Sequence, residues 1–397
     1  MAHFQKLMRI TTVPISLGGL LQGQSKFMSQ YYEVIGVSSP GPMLDRLSQT
    51  EGIRTIPIRM TRKITPFQDL VAFFRLYRLM VREKPAIVHT HTPKAGTLGM
   101  MAAWLARVPH RLHTIAGLPL VEATGMKRRL LNAVERLTYA CATRVYPNSE
   151  GLRQIALENR FAPAAKLKVL GNGSSNGIDT TYFDRKNITA EQQQVLLDSL
   201  RINQNQFVYC YVGRLVRDKG IHELLEAFLT VHRAYPEARL LLIGPYEHEL
   251  DPLEDWALKA IQDTEAILEL GWQDDIRPFM AISDCFVFPS YREGFPNVVM
   301  QAGAMGLYSI VTDINGCNEI ILEGENGTII PVKNSQVLFH KMEEILISSE
   351  KPGNPESYRK LIRDRYERTF IWNRILEEYH NLESSPNTPQ YVTSKEY

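Results

Sequence analysis

Two hydrophobic periods alternate along this chain, and that alternation constrains the fold more than any other feature. Short runs rich in β-branched and aromatic residues are separated by longer stretches whose apolar residues recur every three or four positions. In the first half, residues 8–13, 32–37, 86–89, 112–115 and 144–146 read as strands, with 167–170 as a further candidate. Residues 14–19 read as a Pro/Ser/Gly loop. Thr65 is placed as the N-cap of a helix carrying Leu70, Phe73, Phe74, Tyr77, Met80 and Val81 at a 3.6-residue period, closed by Pro85. The second half repeats the grammar. Its strands fall at 207–212, 240–243, 285–288 and 309–312. One helix follows Gly220 with Ile221, Leu224, Leu225 and Phe228 on one face, and another starts at Asn297. Strands joined through helices of ten or more residues need crossovers, and crossovers give parallel sheets. At ~150 residues per domain, 397 residues call for more than one such sheet. The Gly/Ser/Asn-rich stretch 171–179 (GNGSSNGID) is the expected boundary. It sets a first domain over 1–175 and a second over 176–372, with a polar tail, 383–397, expected to fray.

The net charge of +2 conceals two opposite halves. Residues 1–175 carry 24 Lys and Arg against 9 Asp and Glu, whereas the rest carry 21 against 34. A basic half favours phosphate, nucleic acid or an anionic membrane surface. No nucleic-acid recognition motif accompanies it. Cys141, Cys210, Cys285 and Cys317 are far apart and form no C-x-x-C pair, which argues against a disulfide framework or a structural zinc site. The expected compartment is the reducing cytosol. The first residues hold no apolar core of signal-peptide length, and no stretch reaches eighteen apolar residues, so no membrane span is expected.

In open α/β sheets, ligands sit beyond the carboxyl ends of strands, where helix N-termini aim backbone N–H groups at anions. Three strand-to-helix loops of the second half therefore stand out. In 213–220 (GRLVRDKG), Gly213 lets a ligand approach the backbone, and Arg214 and Lys219 bring two cations suited to a diphosphate. A solvated charged turn is the equal alternative. In 291–297 (YREGFPN), Glu293 follows a buried strand, Pro296 sits near the first helical position and Asn297 can cap the helix. Gln301 lies one turn further in. Read alone, such a Glu serves only the helix dipole. Gly244-Pro245-Tyr246 can wall a base or be an ordinary loop.

In the first half, 89–96 (HTHTPKAG) ends a strand with His89, His91 and Lys94. No carboxylate or Cys accompanies the two histidines, so zinc is not expected; Lys94 is the better candidate, as a phosphate or sugar ligand. His113 ends a separate strand, where a lone His is more often structural. Lys127, Arg128 and Arg129 form a short basic cluster on the helix after Gly125, ordinarily a solvated face.

Taken in order, YVGRLVRDKGIHELLEAF, LIGPYE, FVFPSYREGFPNVVMQAGAMG, VTDINGCNEII and ENGTIIP resemble the family 4 retaining glycosyltransferases. HTHTPKAGTLGM, HTIAGLPL, YPNS and GNGSSNGID are similar to a narrower subgroup, which builds bacterial capsule, exopolysaccharide and lipid-linked oligosaccharide. The resemblance implies the GT-B fold: two tandem Rossmann-like domains whose parallel sheets face across a cleft, with 373–390 returning to the first domain and Phe370 and Trp372 marking the crossing. It implies that Arg214 and Lys219 grip and stabilise the donor diphosphate. Glu293 is the first Glu of the family's E-x7-E motif, close to the donor sugar. The turn Phe295, Pro296, Asn297 and Val298 presents amides to the diphosphate, and His113 contacts the donor. Gly18 and Gly19 fall in the first loop, which closes over the donor, while Gly213 and Gly244 border it. Lys94, Lys127, Arg128 and Arg129 are expected on the acceptor side.

One position departs from the family. The second Glu of E-x7-E, which takes the ribose hydroxyls, is Gln301. A Gln can still make two hydrogen bonds, without charge assistance, at a cost of about 1 kcal/mol. The resemblance implies transfer, with retention, from a nucleotide sugar, a UDP-hexose or UDP-N-acetylhexosamine, to a polyprenyl-diphosphate-linked sugar. The enzyme is expected to be cytoplasmic, peripheral on the inner face of the inner membrane, with no cofactor or metal and no nucleic-acid partner. The alternatives are a nucleotide-sugar 2-epimerase or hydrolase of the same fold, or a nucleotide-sugar-binding scaffold weakened in catalysis.

Overall fold

The computed structural model describes residues 4–118, 124–247, 251–348 and 354–384. The chain forms two compact units, one running to Gly177 and resuming at Thr369, the other spanning Ile178–Arg368.

The first unit is built on six parallel strands: β1 (Lys6–Ile10), β2 (Glu33–Ser38), β3 (Arg54–Pro57), β4 (Ile87–Thr90), β5 (His110–Ile115) and β6 (Arg144–Pro147). Their order is β3-β2-β1-β4-β5-β6, so the direction of winding reverses between β1 and β4. Such a reversal opens a crevice at the carboxyl ends of the strands. The helices are α1 (Pro14–Leu20), α2 (Gln24–Met28), α3 (Pro42–Thr50), α4 (Pro66–Glu83), α5 (Pro93–Leu105), α6 (Gly125–Cys141) and α7 (Glu150–Glu158). The strands are apolar on both faces because both faces are covered. Met8, Ile10, Val37 and Val88 pack in one core with Leu76 and Met80 of α4 and Met100 of α5. Leu7, Val34, Ile87 and Leu112 point the other way, onto Ile371, Ile375 and Tyr379 of the helix Arg368–Glu383.

The second unit has β7 (Phe207–Val212), β8 (Ala238–Ile243), β9 (Ile267–Gly271), β10 (Cys285–Phe288), β11 (Tyr308–Thr312) and β12 (Gly327–Ile330), all parallel, in the order β12-β11-β10-β7-β8-β9. Here the reversal lies between β7 and β10. Its helices are α8 (Ala190–Ser199), α9 (Ile221–Ala234), α10 (Asp255–Asp263), α11 (Arg277–Ala281), α12 (Asn297–Ala304), α13 (Cys317–Ile320), α14 (Ser335–Ile347) and α15 (Pro355–Tyr366), with α16 (Arg368–Glu383) following.

Several expectations are corrected. The units change at 177/178, within the stretch 171–179, and at 368/369, a few residues before the expected return at 373. The Trp372 indole donates to Asn176 Oδ1 at 2.7 Å, and Gly171 abuts Ile371, so both connecting segments belong with the first unit. Residues 167–170 form no strand; Leu167 makes one isolated bridge to Val145. Residues 14–19 are not a loop, since α1 takes them up, opened by Pro14 at its first turn. Thr65 does sit at the N-cap of α4, but its hydroxyl donates to Asp69 Oδ1 at 2.9 Å rather than capping a backbone N–H. The apolar period of α4 meets the core only in part: Met80 is buried and Phe73 and Tyr77 pack against the core, while Leu70, Phe74 and Val81 are about half exposed and Ala72, Leu76 and Leu79 complete the buried face. The tail beyond Ser384 lies outside the described residues. No described helix is long and apolar enough to cross a membrane.

Candidate functional site

At the carboxyl edge of the second sheet, glycines let four loops pack backbone to backbone. Gly244, after β8, lies against the Gly213 carbonyl, and a Cβ there would overlap it. Gly220 takes the left-handed conformation (φ 69°) at the start of α9, where a Cβ would overlap the carbonyl of Pro289, just past β10. Gly316, beyond β11, is held against Phe295 and Gly294. The loops after four neighbouring strands are thereby drawn together at the topological reversal.

The charged side chains follow this arrangement. Lys219 closes a 3-10 turn (Arg217–Lys219), and its ammonium forms an ion pair with Glu293; both side chains are mostly buried. Ser290 Oγ lies 3.5 Å from the same ammonium. The Tyr291 amide donates to the Asp218 carbonyl at 2.9 Å, and Arg292 pairs with the Asp218 carboxylate at 2.8 Å, locking the β7 and β10 loops together. Arg214 leans the other way, toward Glu247 in the loop after β8, at 3.6 Å and 43% exposed. The two cations thus flank the end of β7, one tightly paired and one loosely. The buried Tyr211 phenol donates to the Arg214 carbonyl at 2.9 Å. Burial, then the Glu293 and Asp218 carboxylates, push its pKa far up, so it stays a donor.

Asn297 opens α12 but does not cap it: the N-cap residue is Pro296, without a capping side chain. Proline has no N–H, and the first amides of a helix have no intrahelical partner, so this turn leaves donors for an anion. Asn297 is exposed and Val298 half-buried. The Phe295 ring is 8% exposed and meets Tyr366 edge-on at 5.5 Å, which limits Phe295 to a backbone role. Gln301 is half-buried one turn further in, and among the described residues its side chain has no hydrogen-bond partner.

Residues not foreseen from the sequence join this edge. Ser290 accepts from Thr312 through its carbonyl and donates to the Arg292 carbonyl at 3.2 Å, which shapes the loop carrying Glu293. Cys317 is buried beside it, its thiol pushed up by burial and then by Glu293. Trp272, 68% exposed, follows Gly271, whose carbonyl accepts from the Gly244 amide at 2.8 Å. A glycine-aromatic pair after a weak strand carried no signal of its own.

In the first unit the structure places several of the candidates in packed surroundings. His113 is 3% exposed, bonded through Nδ1 to Thr90 Oγ1 at 2.8 Å, with Gly96 of α5 tight against its ring. Burial lowers its pKa to about 4, so the ring is neutral near pH 7 and sits packed in the core. The first residue past β5 is Ala116. Lys94 is bound by Asp69 at 2.7 Å and by the Lys63 carbonyl, tying the starts of α4 and α5 together. Gly18 and Gly19 lie within α1. Gly18 faces Leu47 of α3, and nothing lies within 4 Å of a Cβ at Gly19. Lys127 and Arg129 are exposed on the first turns of α6, while Arg128 reaches Asn159 Oδ1 at 3.2 Å. His89 bonds Tyr379 at 2.6 Å and Thr114 at 2.8 Å inside the core.

Two Rossmann-like units in one chain, the second carrying glycine-packed loops with a Lys–Glu pair beside an open helix N-terminus, define a GT-B protein. Residues 192–365 match the family Glycosyl transferases group 1, and residues 32–173 match the Glycosyl transferase 4-like domain. The chain is 36% identical over 390 residues, 97% of each protein, to the capsular polysaccharide biosynthesis glycosyltransferase CapM of Staphylococcus aureus. It is 27% identical to the UDP-Gal:alpha-D-GlcNAc-diphosphoundecaprenol alpha-1,3-galactosyltransferase of Escherichia coli, over 82% of this chain and 85% of that one. The fold matches HepE of Anabaena, solved with UDP, at a TM-score of 0.78 and 18% identity, over 95% and 100% of the two chains. The chain belongs to the family 4, or group 1, glycosyltransferases.

Proposed function

We propose that this glycosyltransferase moves a hexosyl or N-acetylhexosaminyl group from a UDP-sugar, with retention, to a sugar carried on a polyprenyl diphosphate. The product is an intermediate of a bacterial surface polysaccharide, made at the cytoplasmic face of the inner membrane. The observation that carries the reading is the Lys219–Glu293 pair beside the start of α12. A donor diphosphate seated on the α12 amides lies within reach of Lys219 from the β10 side and of Arg214 from the β8 side. Glu293, held by Lys219, faces the sugar, and Gln301 takes the ribose hydroxyls.

The anomeric carbon–oxygen bond to the diphosphate breaks, and a bond to the acceptor oxygen forms on the same face. The acceptor proton passes to the departing diphosphate oxygen. Arg214 and Lys219 offset the charge that develops there. This route asks for no protein nucleophile and no metal, so EDTA is expected to leave turnover intact; loss with EDTA and recovery with Mg²⁺ would refute the metal-free step. The CapM and Escherichia coli relatives support a lipid-diphosphate acceptor and a surface polysaccharide.

The test is UDP release across a panel of UDP-sugars, with and without a lipid-diphosphate-sugar acceptor. Release that requires the acceptor supports transfer. Turnover without it favours the epimerase or hydrolase reading, and none with any pair favours a binding scaffold.

A further inference from the structure

Helix α4 carries two apolar faces, and only one is covered. Ala72, Leu76, Leu79 and Met80 pack on the first sheet. On the outer side, Phe67 is 80% exposed, Leu70 53%, Val71 37%, Phe74 52% and Val81 47%. Their spacing, i, i+3, i+4, i+7 and i+14, runs along one stripe of the helix, about 21 Å from end to end. Ile64, just before the helix, extends it at 72% exposed. Single exposed apolar residues are ordinary, but an aligned row that includes two phenylalanines is a contact surface.

The charges beside the row have one sign. Arg62, Lys63, Arg75, Arg78 and Lys84 are exposed. The two carboxylates of α4 are both engaged elsewhere: Asp69 by Lys94 at 2.7 Å, and the buried Glu83 by Arg54 at 2.6 Å and Lys6 at 3.0 Å. The row lies along one helix. Phenylalanine and leucine tips between arginines suit the boundary of head groups and acyl chains in an anionic bilayer. The helix follows β3, joined to its carboxyl end by residues 58–65.

We infer that the outer face of α4 docks the protein on an anionic lipid surface, with Phe67, Leu70 and Phe74 entering the interface and Arg75 and Arg78 held at the head groups. This deepens the membrane placement proposed above. Its test reads binding and not turnover, so either reading can fail alone.

The experiment is co-sedimentation of the full chain with phosphatidylcholine vesicles, with and without phosphatidylglycerol. Wild type is expected to bind the anionic vesicles preferentially. F67S/L70S/F74S should weaken binding by about tenfold or more, because the apolar anchor is lost. R75E/R78E should lose the preference for phosphatidylglycerol, again by about tenfold, at ~1 kcal/mol per charge. K127E/R128E/R129E on α6 should bind like wild type. Thermal unfolding checks each fold, and the two α4 variants test the idea independently. Failure of wild type to bind, α4 variants that bind unchanged, or loss confined to the α6 variant would overturn it. So would a wild-type dimer in sedimentation velocity that F67S/L70S/F74S makes monomeric, since the face would then join two copies.

Discussion

Lys219 and Glu293 form an ion pair between the loops that follow the adjacent parallel strands β7 and β10, seventy-four residues apart in sequence. The lysine sits at the end of a 3-10 turn and the carboxylate before α12, so one contact fixes both groups at the sheet reversal. If Lys219 stabilises a leaving diphosphate, its contribution grows in the transition state. Lys219→Met should therefore lower kcat by about 10²–10³-fold, with a smaller change in the donor KM. Initial-rate kinetics decide: a rise in KM alone would make Lys219 a ground-state contact.

The glycines make opposite predictions at two sites. Gly220→Ala puts a side chain in a left-handed conformation and against the Pro289 carbonyl. The conformation alone costs about 1–2 kcal/mol, and backbone overlap adds to it. At 2–4 °C per kcal/mol, calorimetry should show the second unit melting lower by roughly 4–8 °C. Gly19 is inside α1 with open space around it. Gly19→Ala should hold or raise stability by about 0.5–1 kcal/mol and keep activity, whereas loss of activity would return Gly19 to a mobile donor loop.

The first unit should weaken in mild acid. Burial holds His113 at a pKa of about 4 in the fold, against 6.5 unfolded, and lowers His89 and His91 as well. Above pH 6.5 both states are neutral and the full stability is present. As pH falls from 6.5 toward 4, the unfolded chain takes up protons that the folded chain refuses, and stability is lost. Thermal unfolding followed from pH 7 to pH 4.5 should show the decline, and His113→Gln should flatten it. A stability that rises toward acid would contradict the burial of these rings.

Much of the interior was legible, and much of the periphery was not. The strands at 207–212 and 285–288 were read at their observed bounds, because both lie inside a sheet and are continuously apolar. The three strands that escaped, β3, β9 and β12, are all sheet edges. Arg54–Pro57 is half-exposed, so neither run nor alternation marks it. At the site, the glycine-rich and charged loops were visible because their residue types are unusual after strands. What failed was side-chain direction. Lys94 and His113 stand at or near strand ends in the sequence, yet Asp69 and Thr90 draw them inward, and those partners lie more than twenty residues away. The α4 period was seen, but periodicity cannot say which of two apolar stripes meets the sheet.

Gln301 offers a graded test of the ribose assignment. Its side chain has no partner among the described residues, one turn from the start of α12. Gln301→Glu restores a charged acceptor worth about 1 kcal/mol, so the donor KM should fall about fivefold. An unchanged KM would remove Gln301 from the nucleotide.

Transfer with retention to a lipid-linked sugar is the proposed reaction. Its most direct test is the anomeric configuration of the product, read by NMR after incubation with an α-linked UDP-sugar that supports turnover and a polyprenyl-diphosphate-linked acceptor. Retention predicts acceptor lipid extended by one sugar in α linkage. A β linkage would contradict front-face transfer, and UDP formed without any extended lipid would contradict the transfer itself.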